Sequence, residues 1–224
     1  MRENLTQTIE DYLKVIHEIT RQNERASTNQ IAEALRVTPA SVTGMIKKLS
    51  ETNPPLVDYQ KHRGVVLTSS GKLVALEILR HHRLLEMFLQ KNLGFRWDEV
   101  HDEADRLEHF ISEQFEERIA VALGNPSHDP HGDPIPTRDL RMPETSTLPM
   151  SELRPGQIAT IQRVINTEPD LLRHLDSLGL IPQAQLAILE YSPFDKNISL
   201  QVSGQKKPIV LGPTITSRIY VTID

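Results

Sequence analysis

The sequence predicts a mainly α-helical protein that ends in a small β domain, and three observations support this fold class. Apolar residues recur three or four positions apart through roughly the first 120 residues, which is the spacing of helix faces. Seven of the 15 prolines lie between Asn125 and Pro155, a density that excludes regular helix or sheet. Five short β-prone runs then follow Gly156. We therefore expect a helical part, a tethered linker and a small, strongly bent barrel.

Composition narrows the possible functions. With 224 residues, the chain is long enough for two or three small hydrophobic cores. Because it has no cysteine, it cannot form a disulfide, a thiolate zinc site or a cysteine nucleophile. It has no apolar run of membrane-spanning length and no signal-peptide pattern at Met1-Arg2-Glu3-Asn4, so we expect a cytoplasmic protein. The formal net charge is -5 but is unevenly distributed: residues 21–72 hold eight Lys and Arg against four acids, so this segment carries +4 and the rest of the chain carries -9. The basic segment can therefore contact phosphate groups, while an acidic segment binds cations.

The first predicted helix covers residues 5–21, with Leu5, Ile9, Leu13 and Ile16 on one face. Asp11 lies well away from this apolar stripe, so periodicity alone makes it a solvent-facing acid. Val15, one turn later, indicates that this side of the helix meets a second surface.

A helix-turn-helix is predicted between Ser27 and Leu49. Ser27-Thr28-Asn29 supplies capping residues for a short helix, and Thr38 caps a second helix that has Pro39 at its first position. In such a pair the second helix lies in the DNA major groove. The small polar residues of its first turn suit contacts with base edges, and Lys47 in its last turn suits a contact with phosphate. The candidate DNA-binding residues on this helix are Thr38, Pro39, Ala40, Ser41, Thr43 and Lys47.

A β-hairpin is predicted next, because β-prone runs at 56–59 and 65–68 flank a basic turn that contains Gly64. A hairpin at this place is the wing of a winged helix, and it adds His62 and Arg63 to the candidate DNA contacts. Many three-helix bundles carry a similar pattern without binding DNA. The wing and the local positive charge favour DNA binding here.

Two longer helices are predicted at 72–93 and 100–115. On the first, His82 and Glu86 lie one turn apart, a spacing at which they can share a cation, although such pairs are more often surface residues. On the second, an apolar face runs beside a polar stripe made of His101, Asp105, Glu108 and His109. Imidazoles and carboxylates beside a buried face are costly unless something binds them, which suggests a divalent cation. A solvated acidic helix that carries two histidines is the alternative.

These two helices carry more apolar surface than they can bury on each other, which suggests packing against the N-terminal domain and a second subunit.

The order of these features resembles the diphtheria toxin repressor family, including its manganese-transport-regulator branch. The most specific matches are the run His-Asp-Glu-Ala-Asp-Arg-Leu-Glu-His (101–109) and the segment Asp-Pro-His-Gly-Asp-Pro-Ile-Pro (129–136), and the likeness covers essentially the whole chain. It implies a homodimeric, metal-activated repressor that binds a palindromic operator. The domains implied are a winged helix-turn-helix (1–73), a metal-binding and dimerisation domain (74–140), a linker (141–152) and an SH3-like, FeoA-like domain (153–224).

The resemblance also implies two metal sites per subunit. The primary ligands would be Asp11, Asp105, Glu108 and His109. The ancillary ligands would be His82, Glu86 and His101, with Glu168 and Asp170 as tentative additions from the third domain. Asp11 thereby gains a role that periodicity does not give it, because it would join the first helix to the metal helix.

Two departures from the family pattern bear on the metal. Iron-type members place sulfur residues where this chain has Asp11 and Asp105, so the harder donor set favours Mn²⁺ over Fe²⁺. Short manganese-type members have a second carboxylate one turn after the first, where this chain has Lys14, which argues against a binuclear site. Because His109 must be neutral to bind metal, we expect activation to weaken below about pH 6.5, the unperturbed histidine value.

Two readings of other classes use the same residues. A metal-dependent hydrolase would need a nucleophile or general-base motif, and none accompanies these ligands, so we expect neither catalysis nor a small-molecule substrate. A purely structural metal would leave DNA binding unchanged when it is removed.

Overall fold

The computed structural model of the protein describes residues 5–21, 23–165 and 168–224. The chain forms two compact units that interleave along the sequence. The first contains Met1–His81, Glu108–Ile111 and Pro136–Met142, and the second contains His82–Leu107, Ser112–Ile135 and Pro143–Asp224. The domain boundaries predicted above follow the chain and remain predictions.

The first unit begins with three helices and a hairpin, as expected. They are α1 (Gln7–Thr20), α2 (Thr28–Leu35), α3 (Pro39–Ser50) and the antiparallel strands β1 (Val57–Gln60) and β2 (Gly64–Leu67). Ser27 and Gln30 form a capping box at α2, and the Thr38 side chain accepts a hydrogen bond from the Ser41 N–H at α3. The apolar faces of the helices meet in one core with Leu13, Ile46 and Leu49 fully buried. The predicted helix-turn-helix and wing are both confirmed.

Three helices follow: α4 (Ser69–Leu93), α5 (Val100–Leu107) and α6 (Glu113–Ala122). The prediction of one continuous helix over 100–115 is wrong, because α5 ends at Leu107 and residues 108–110 form a turn. Ser112 then adopts an extended conformation and caps α6 by accepting a hydrogen bond from the Phe115 N–H. None of the described helices has the length and apolarity needed to cross a membrane.

The proline-rich stretch after α6 has no described helix or strand before a 3-10 turn at Met150–Glu152, as predicted. It is not a loose tether throughout, however, since His131 and Ile135 are buried. The Val164 N–H donates to the His131 carbonyl, and a side chain at Gly132 would meet the Gln162 carbonyl oxygen at 1.9 Å. This part of the segment is therefore packed closely onto the β domain, and only glycine fits at position 132.

The β domain contains all five predicted strands. They are β3 (Ile158–Val164), β4 (Gln185–Tyr191), β5 (Ile198–Val202), β6 (Ile209–Leu211) and β7 (Ile219–Ile223), in the antiparallel order β6-β5-β4-β3-β7. Bulges between Ile161 and Arg163 and between Ile188 and Glu190 bend the sheet around its core. Helices α7 (Pro169–Ser177) and α8 (Pro213–Thr216) complete the domain.

Candidate metal centres and nucleic-acid interface

The candidate DNA-binding surface is the solvent-facing side of α3. Val42, Ile46 and Leu49 are fully buried in the core, so the opposite side of the helix faces solvent. Of the candidate residues on α3 and at its cap, Thr43 is half-buried and the others are exposed: Thr38, Pro39, Ala40, Ser41 and Lys47. The structure thus leaves the predicted residues accessible, and their contacts with DNA remain a prediction.

The wing is held against the start of α2. Ala26 and Val65 exchange two backbone hydrogen bonds of 2.9 Å, and a side chain at Gly64 would meet the Ala26 carbonyl oxygen at 2.6 Å. This close approach and the positive φ of 95° require glycine at position 64. His62 and Arg63, in the turn between β1 and β2, are exposed to solvent.

The first candidate metal group joins α1 to the turn after α5. We call Asp11, Glu108 and His109 the α1 group, because one donor atom from each lies within 4.8 Å of the others. Asp11 Oδ1 lies 2.9 Å from His109 Nε2, and Glu108 Oε1 lies 3.5 Å from the same nitrogen. The Asp11 side chain keeps 43% of its surface exposed, whereas that of Glu108 keeps 1%. Oxygen and imidazole donors at this spacing suit a hard or borderline divalent cation.

The α1 group is surrounded by two further residues, Glu10 and Lys14. Their contacts with His109 and Glu108 were not predicted from the sequence. Glu10 Oε2 lies 2.7 Å from His109 Nδ1, the nitrogen that faces away from Asp11. A carboxylate on that nitrogen fixes the orientation of the ring and leaves Nε2 for a metal. Lys14 Nζ donates to both carboxylate oxygens of Glu108, at 2.8 and 3.0 Å.

The same contacts set the protonation of His109. Burial by itself lowers the pKa of this imidazole, but hydrogen bonds to Asp11 and Glu10 and the charge of Glu108 outweigh burial and raise the pKa to about 9. The metal-free protein therefore holds an imidazolium here at neutral pH. Because a proton must leave His109 at any pH below about 9, we expect the weakening of activation, placed below about pH 6.5 from the unperturbed histidine value, to begin at higher pH; the pH dependence itself remains a prediction.

The second candidate group, which we call the α4–α5 group, consists of His82, Glu86 and His101. His82 Nε2 lies 3.0 Å from Glu86 Oε1 and 3.0 Å from His101 Nδ1, and the last two atoms are 3.2 Å apart. A metal about 2.1 Å from each donor, with right angles between bonds, sets its donors about 3.0 Å apart. These three atoms thus have the spacing of one face of an octahedral site, and the structure brings together the residues predicted for the ancillary site.

Glu86 is ionised in this setting. Burial alone would raise its pKa, but the charge of His82 and hydrogen bonds from His101, His131 and His82 hold the pKa well below the usual range. Asp105 lies next to the same group, with its carboxylate oxygens 3.2 Å from His82 Nδ1 and 3.6 Å from His101 Nε2. Its predicted place among the primary ligands remains a prediction.

A third cluster, Glu86, Asp129 and His131, is buried and was missed by sequence reasoning. Burial, reinforced by the charge of Glu86, raises the pKa of Asp129 to about 7. His131 Nδ1 lies 3.7 Å from Glu86 Oε2, and despite burial this carboxylate raises the pKa of His131 to about 9. Arg83 Nε lies 3.4 Å from the Asp129 carboxylate. No periodicity could reveal this cluster, because Asp129 and His131 come from an irregular segment.

The tentative ligands from the β domain have other partners in the structure. Glu168 Oε1 lies 3.5 Å from Arg218 Nη1, and the Asp170 carboxylate accepts a hydrogen bond from Arg173. Neither belongs to a group of candidate ligands among the described residues, and their role remains a prediction.

A winged helix with an exposed recognition helix, carried by a chain with buried carboxylate–imidazole groups, defines a metal-responsive DNA-binding protein. Family models match the chain in the same order. They are "Iron dependent repressor, N-terminal DNA binding domain" (residues 4–65), "Iron dependent repressor, metal binding and dimerisation domain" (68–137) and "FeoA domain" (148–223).

Individual relatives lead to the same class of protein as the family models. The iron-dependent repressor IdeR of Mycobacterium leprae is 30% identical over 215 residues, covering 91% of this chain and 92% of the relative. The regulator MntR of Oceanobacillus iheyensis is 38% identical over 114 residues, covering 51% of this chain and 76% of the relative. A solved manganese-dependent transcriptional repressor in complex with manganese superposes with a TM-score of 0.88 at 37% identity, covering 96% and 99%.

The chain therefore belongs to the iron-dependent repressor family of metal-dependent transcriptional repressors, which includes the diphtheria toxin repressor. This confirms the resemblance, the fold class and the general function inferred from sequence. The relatives bear both iron and manganese names, so their names do not select a metal.

Proposed function

We propose that this protein is a homodimeric, Mn²⁺-activated repressor of metal-uptake genes that acts in the cytoplasm on a palindromic operator, with Fe²⁺ as the alternative activator. The observation that carries this proposal is the α1 group, in which Asp11 and Glu108 carboxylates converge on His109 Nε2. These donors come from α1, which packs in the DNA-binding unit, and from a turn nearly 100 residues further along. A cation held by both segments would tie them together.

The donor chemistry supports manganese. The α1 group offers two carboxylates and one imidazole, and the chain has no cysteine to add a soft ligand. Affinity order alone favours Fe²⁺ over Mn²⁺ at any given site, so only a hard donor set can redress the difference. We propose Asp11, Asp105, Glu108 and His109 as the primary ligands and His82, Glu86 and His101 as the ancillary ligands, without a catalytic role for either set.

The proposed mechanism is thermodynamic linkage. Asp11 and the Glu108–His109 turn would hold one divalent ion, whose charge would offset the repulsion between the two carboxylates. Holding the turn against α1 would restrain α1 itself. Because α1 packs in one core with α2 and with the recognition helix α3, their arrangement would be restrained as well. DNA binding then no longer includes the free-energy cost of ordering these segments, so metal and operator each raise the affinity for the other.

The homodimer is supported by the match of residues 68–137 to a family model described as a metal binding and dimerisation domain. Within that range Phe115 and Val121 expose 48% and 68% of their surfaces, apolar area that a second subunit would cover. A two-fold dimer would present two recognition helices to a two-fold operator.

Binding to DNA from upstream of the protein's own gene tests this function. We expect tight binding with Mn²⁺, weaker binding with Fe²⁺ under anaerobic conditions or with Zn²⁺, and loss of binding in chelator. Exposed His174 on α7 offers a control, and His174→Ala should respond as the wild type does. Equal binding with and without metal would instead indicate a structural ion and contradict the proposal.

The double variant Asp11→Met with Asp105→Cys tests the choice of metal. We expect activation to shift from Mn²⁺ towards Fe²⁺, because two hard carboxylates are replaced by sulfur ligands. The measurement is operator binding, titrated anaerobically with each metal for wild type and variant. A wild type that responds to Fe²⁺ at least as strongly as to Mn²⁺, with no shift in the variant, would contradict the manganese assignment.

A further inference from the structure

Gly44 lies in the middle of the recognition helix α3, although glycine is the least favourable residue in a helix interior apart from proline. Neither packing nor backbone conformation accounts for it among the residues that the structure describes. A side-chain carbon at position 44 would meet no described atom within 4 Å, and the φ of Gly44 is not positive. Gly64 differs in both respects. Because Gly44 is exposed, glycine is of use here only if a binding partner comes close to the backbone.

Gly44 lies on the line of α3 that points away from the protein core. At about 100° per residue, it is about 200° around the helix from the buried Val42 and about 200° from the buried Ile46. Ala40, one turn earlier, lies close to the same line and is also exposed. Residues 4–65 match a family model described as a DNA binding domain, and the second helix of a helix-turn-helix lies in the major groove. This leading line would therefore enter the groove first.

The side chains of α3 are short in the part that would read the bases. From Thr38 to Gly44 the chain carries no long side chain. The hydroxyls are also engaged on the helix itself, since the Thr43 hydroxyl donates to the Pro39 carbonyl at 2.9 Å and the Ser41 and Thr38 hydroxyls lie 2.9 Å apart. The major groove is about 8.5 Å deep, so short side chains reach base edges only when the helix backbone comes close to them.

The width of the groove makes a missing side chain important. An α-helix with its side chains is about 10–12 Å across and the major groove is about 12 Å wide, so such a helix already fills the groove. A methyl group in the middle of the leading line would hold the backbone away from the base edges. The short side chains beside it would then lose their contacts with the bases. Ala40, one turn away, has a methyl group of the kind that contacts the methyl of thymine.

We propose that Gly44 sets the depth at which α3 docks into the major groove, by allowing the helix backbone to touch the base edges of the operator. Gly44 is thus a specificity-determining residue that acts through the absence of a side chain. Non-specific binding depends on phosphate contacts and does not need this depth, so only the sequence-specific complex gains from the glycine. The inference rests on the proposed function only in requiring sequence-specific binding to double-stranded DNA.

The test compares wild type, Gly44→Ala and Gly44→Leu as full-length proteins in Mn²⁺. The probe is the duplex that the wild type selects most strongly from a pool of random sequences, and a scrambled duplex of the same composition reports non-specific binding. We expect Gly44→Ala to unfold at a temperature about 2–4 °C higher than wild type, because alanine is the better helix former. The same variant should bind the selected duplex about tenfold more weakly, because the added methyl is overpacked against the bases.

The size of the side chain separates a steric effect from a change in helix stiffness. Alanine and leucine are both good helix formers, so Gly44→Leu should weaken binding to the selected duplex further only if volume is the cause. Both variants should match the wild type on the scrambled duplex, in affinity and in salt dependence. Ser177→Ala, a small change at an exposed position of α7, is the control and should match the wild type on both duplexes.

Unchanged affinity of Gly44→Ala for the selected duplex would overturn the inference, and so would equal losses in Gly44→Ala and Gly44→Leu. A wild type that selects no sequence from the pool would overturn it as well. The wild type titrated in chelator with the selected duplex tests the proposed function separately. Binding that does not depend on metal, together with the expected losses at position 44, would refute the proposed function and leave the inference standing.

Discussion

The α1 group and the α4–α5 group offer similar donors to a cation but are assembled in different ways. The residues of the α4–α5 group lie on two consecutive helices, and their donor atoms are already 3.0–3.2 Å apart. The α1 group joins segments nearly 100 residues apart, and its carboxylates are partly neutralised by Lys14 and by protonated His109. A site built from distant segments couples ion binding to their association, whereas a local site mainly stabilises its own helices. We therefore propose that the α1 group, rather than the α4–α5 group, acts as the switch.

The largest expected effect follows from removing a ligand of the α1 group. His109→Ala should weaken metal-activated operator binding by about 100-fold or more, because even outer partners of metal ligands contribute about 10- to 100-fold. Asp105→Ala should have a similar effect if that residue is a primary ligand. Fluorescence anisotropy of labelled operator during a Mn²⁺ titration measures this, with circular dichroism to confirm folding. An unaltered titration in His109→Ala would remove the α1 group from the mechanism.

The next effect is the pH dependence of metal binding at the α1 group. His109 must lose its proton, so Mn²⁺ affinity should fall by up to about tenfold for each pH unit below about 9. The opposite sign holds for the metal-free fold, because the His109 ion pairs are fully present below about pH 6.5 and are lost as the pH rises through about 9.

Calorimetry in two buffers of different ionisation enthalpy measures the proton released with each ion. We expect about one proton per ion from His109 at pH 7.5 in wild type, and less release in His109→Ala. Equal release in both proteins would show that His109 is neutral before the metal arrives.

A smaller effect is expected at the α4–α5 group. His101→Ala should weaken activation by about tenfold, near the lower end of the range for groups that support a metal site. The same operator titration measures it, with His128→Ala, an exposed histidine outside the group, as the control. A loss as large as that of His109→Ala would contradict the ranking of the two groups.

The smallest effect is expected outside both groups, on DNA contacts that bear no metal. Lys47→Ala should weaken binding to every sequence alike and reduce the salt-dependence slope by about 0.9, as for one lost phosphate contact. Lys206→Ala, an exposed lysine of the β domain, serves as the control. A change in sequence preference with an unchanged salt slope would place Lys47 against bases instead.

Local signals in the sequence predicted most of the fold. The caps at Ser27 and Thr38 and the five short β-prone runs after Gly156 are short-range features, so they mark the helix-turn-helix and the β domain correctly. The break after Leu107 was not predicted, because apolar residues keep a helical spacing through the turn at 108–110 that separates α5 from α6. Periodicity reports which side is apolar, and it does not report whether the backbone stays helical.

The candidate metal groups were harder to predict from the sequence for a related reason. Periodicity made Asp11 a surface acid, and only the family resemblance linked it to His109, because contacts across about 100 residues leave no local pattern. The contact between Glu10 and His109 and the burial of His131 depend on tertiary packing in the same way. The spacing of His82 and Glu86 was readable because both lie on one helix.

The most direct test of the central claim is the location of bound manganese in crystals of the Mn²⁺-loaded protein, by anomalous scattering at the manganese edge. We predict one peak within about 2.2 Å of His109 Nε2 and of oxygens of Asp11 and Glu108, at the bond lengths usual for divalent ions. We predict a second peak between His82, Glu86 and His101. Manganese found only between Glu86, Asp129 and His131, with none beside His109, would show that the α1 group is not a metal site.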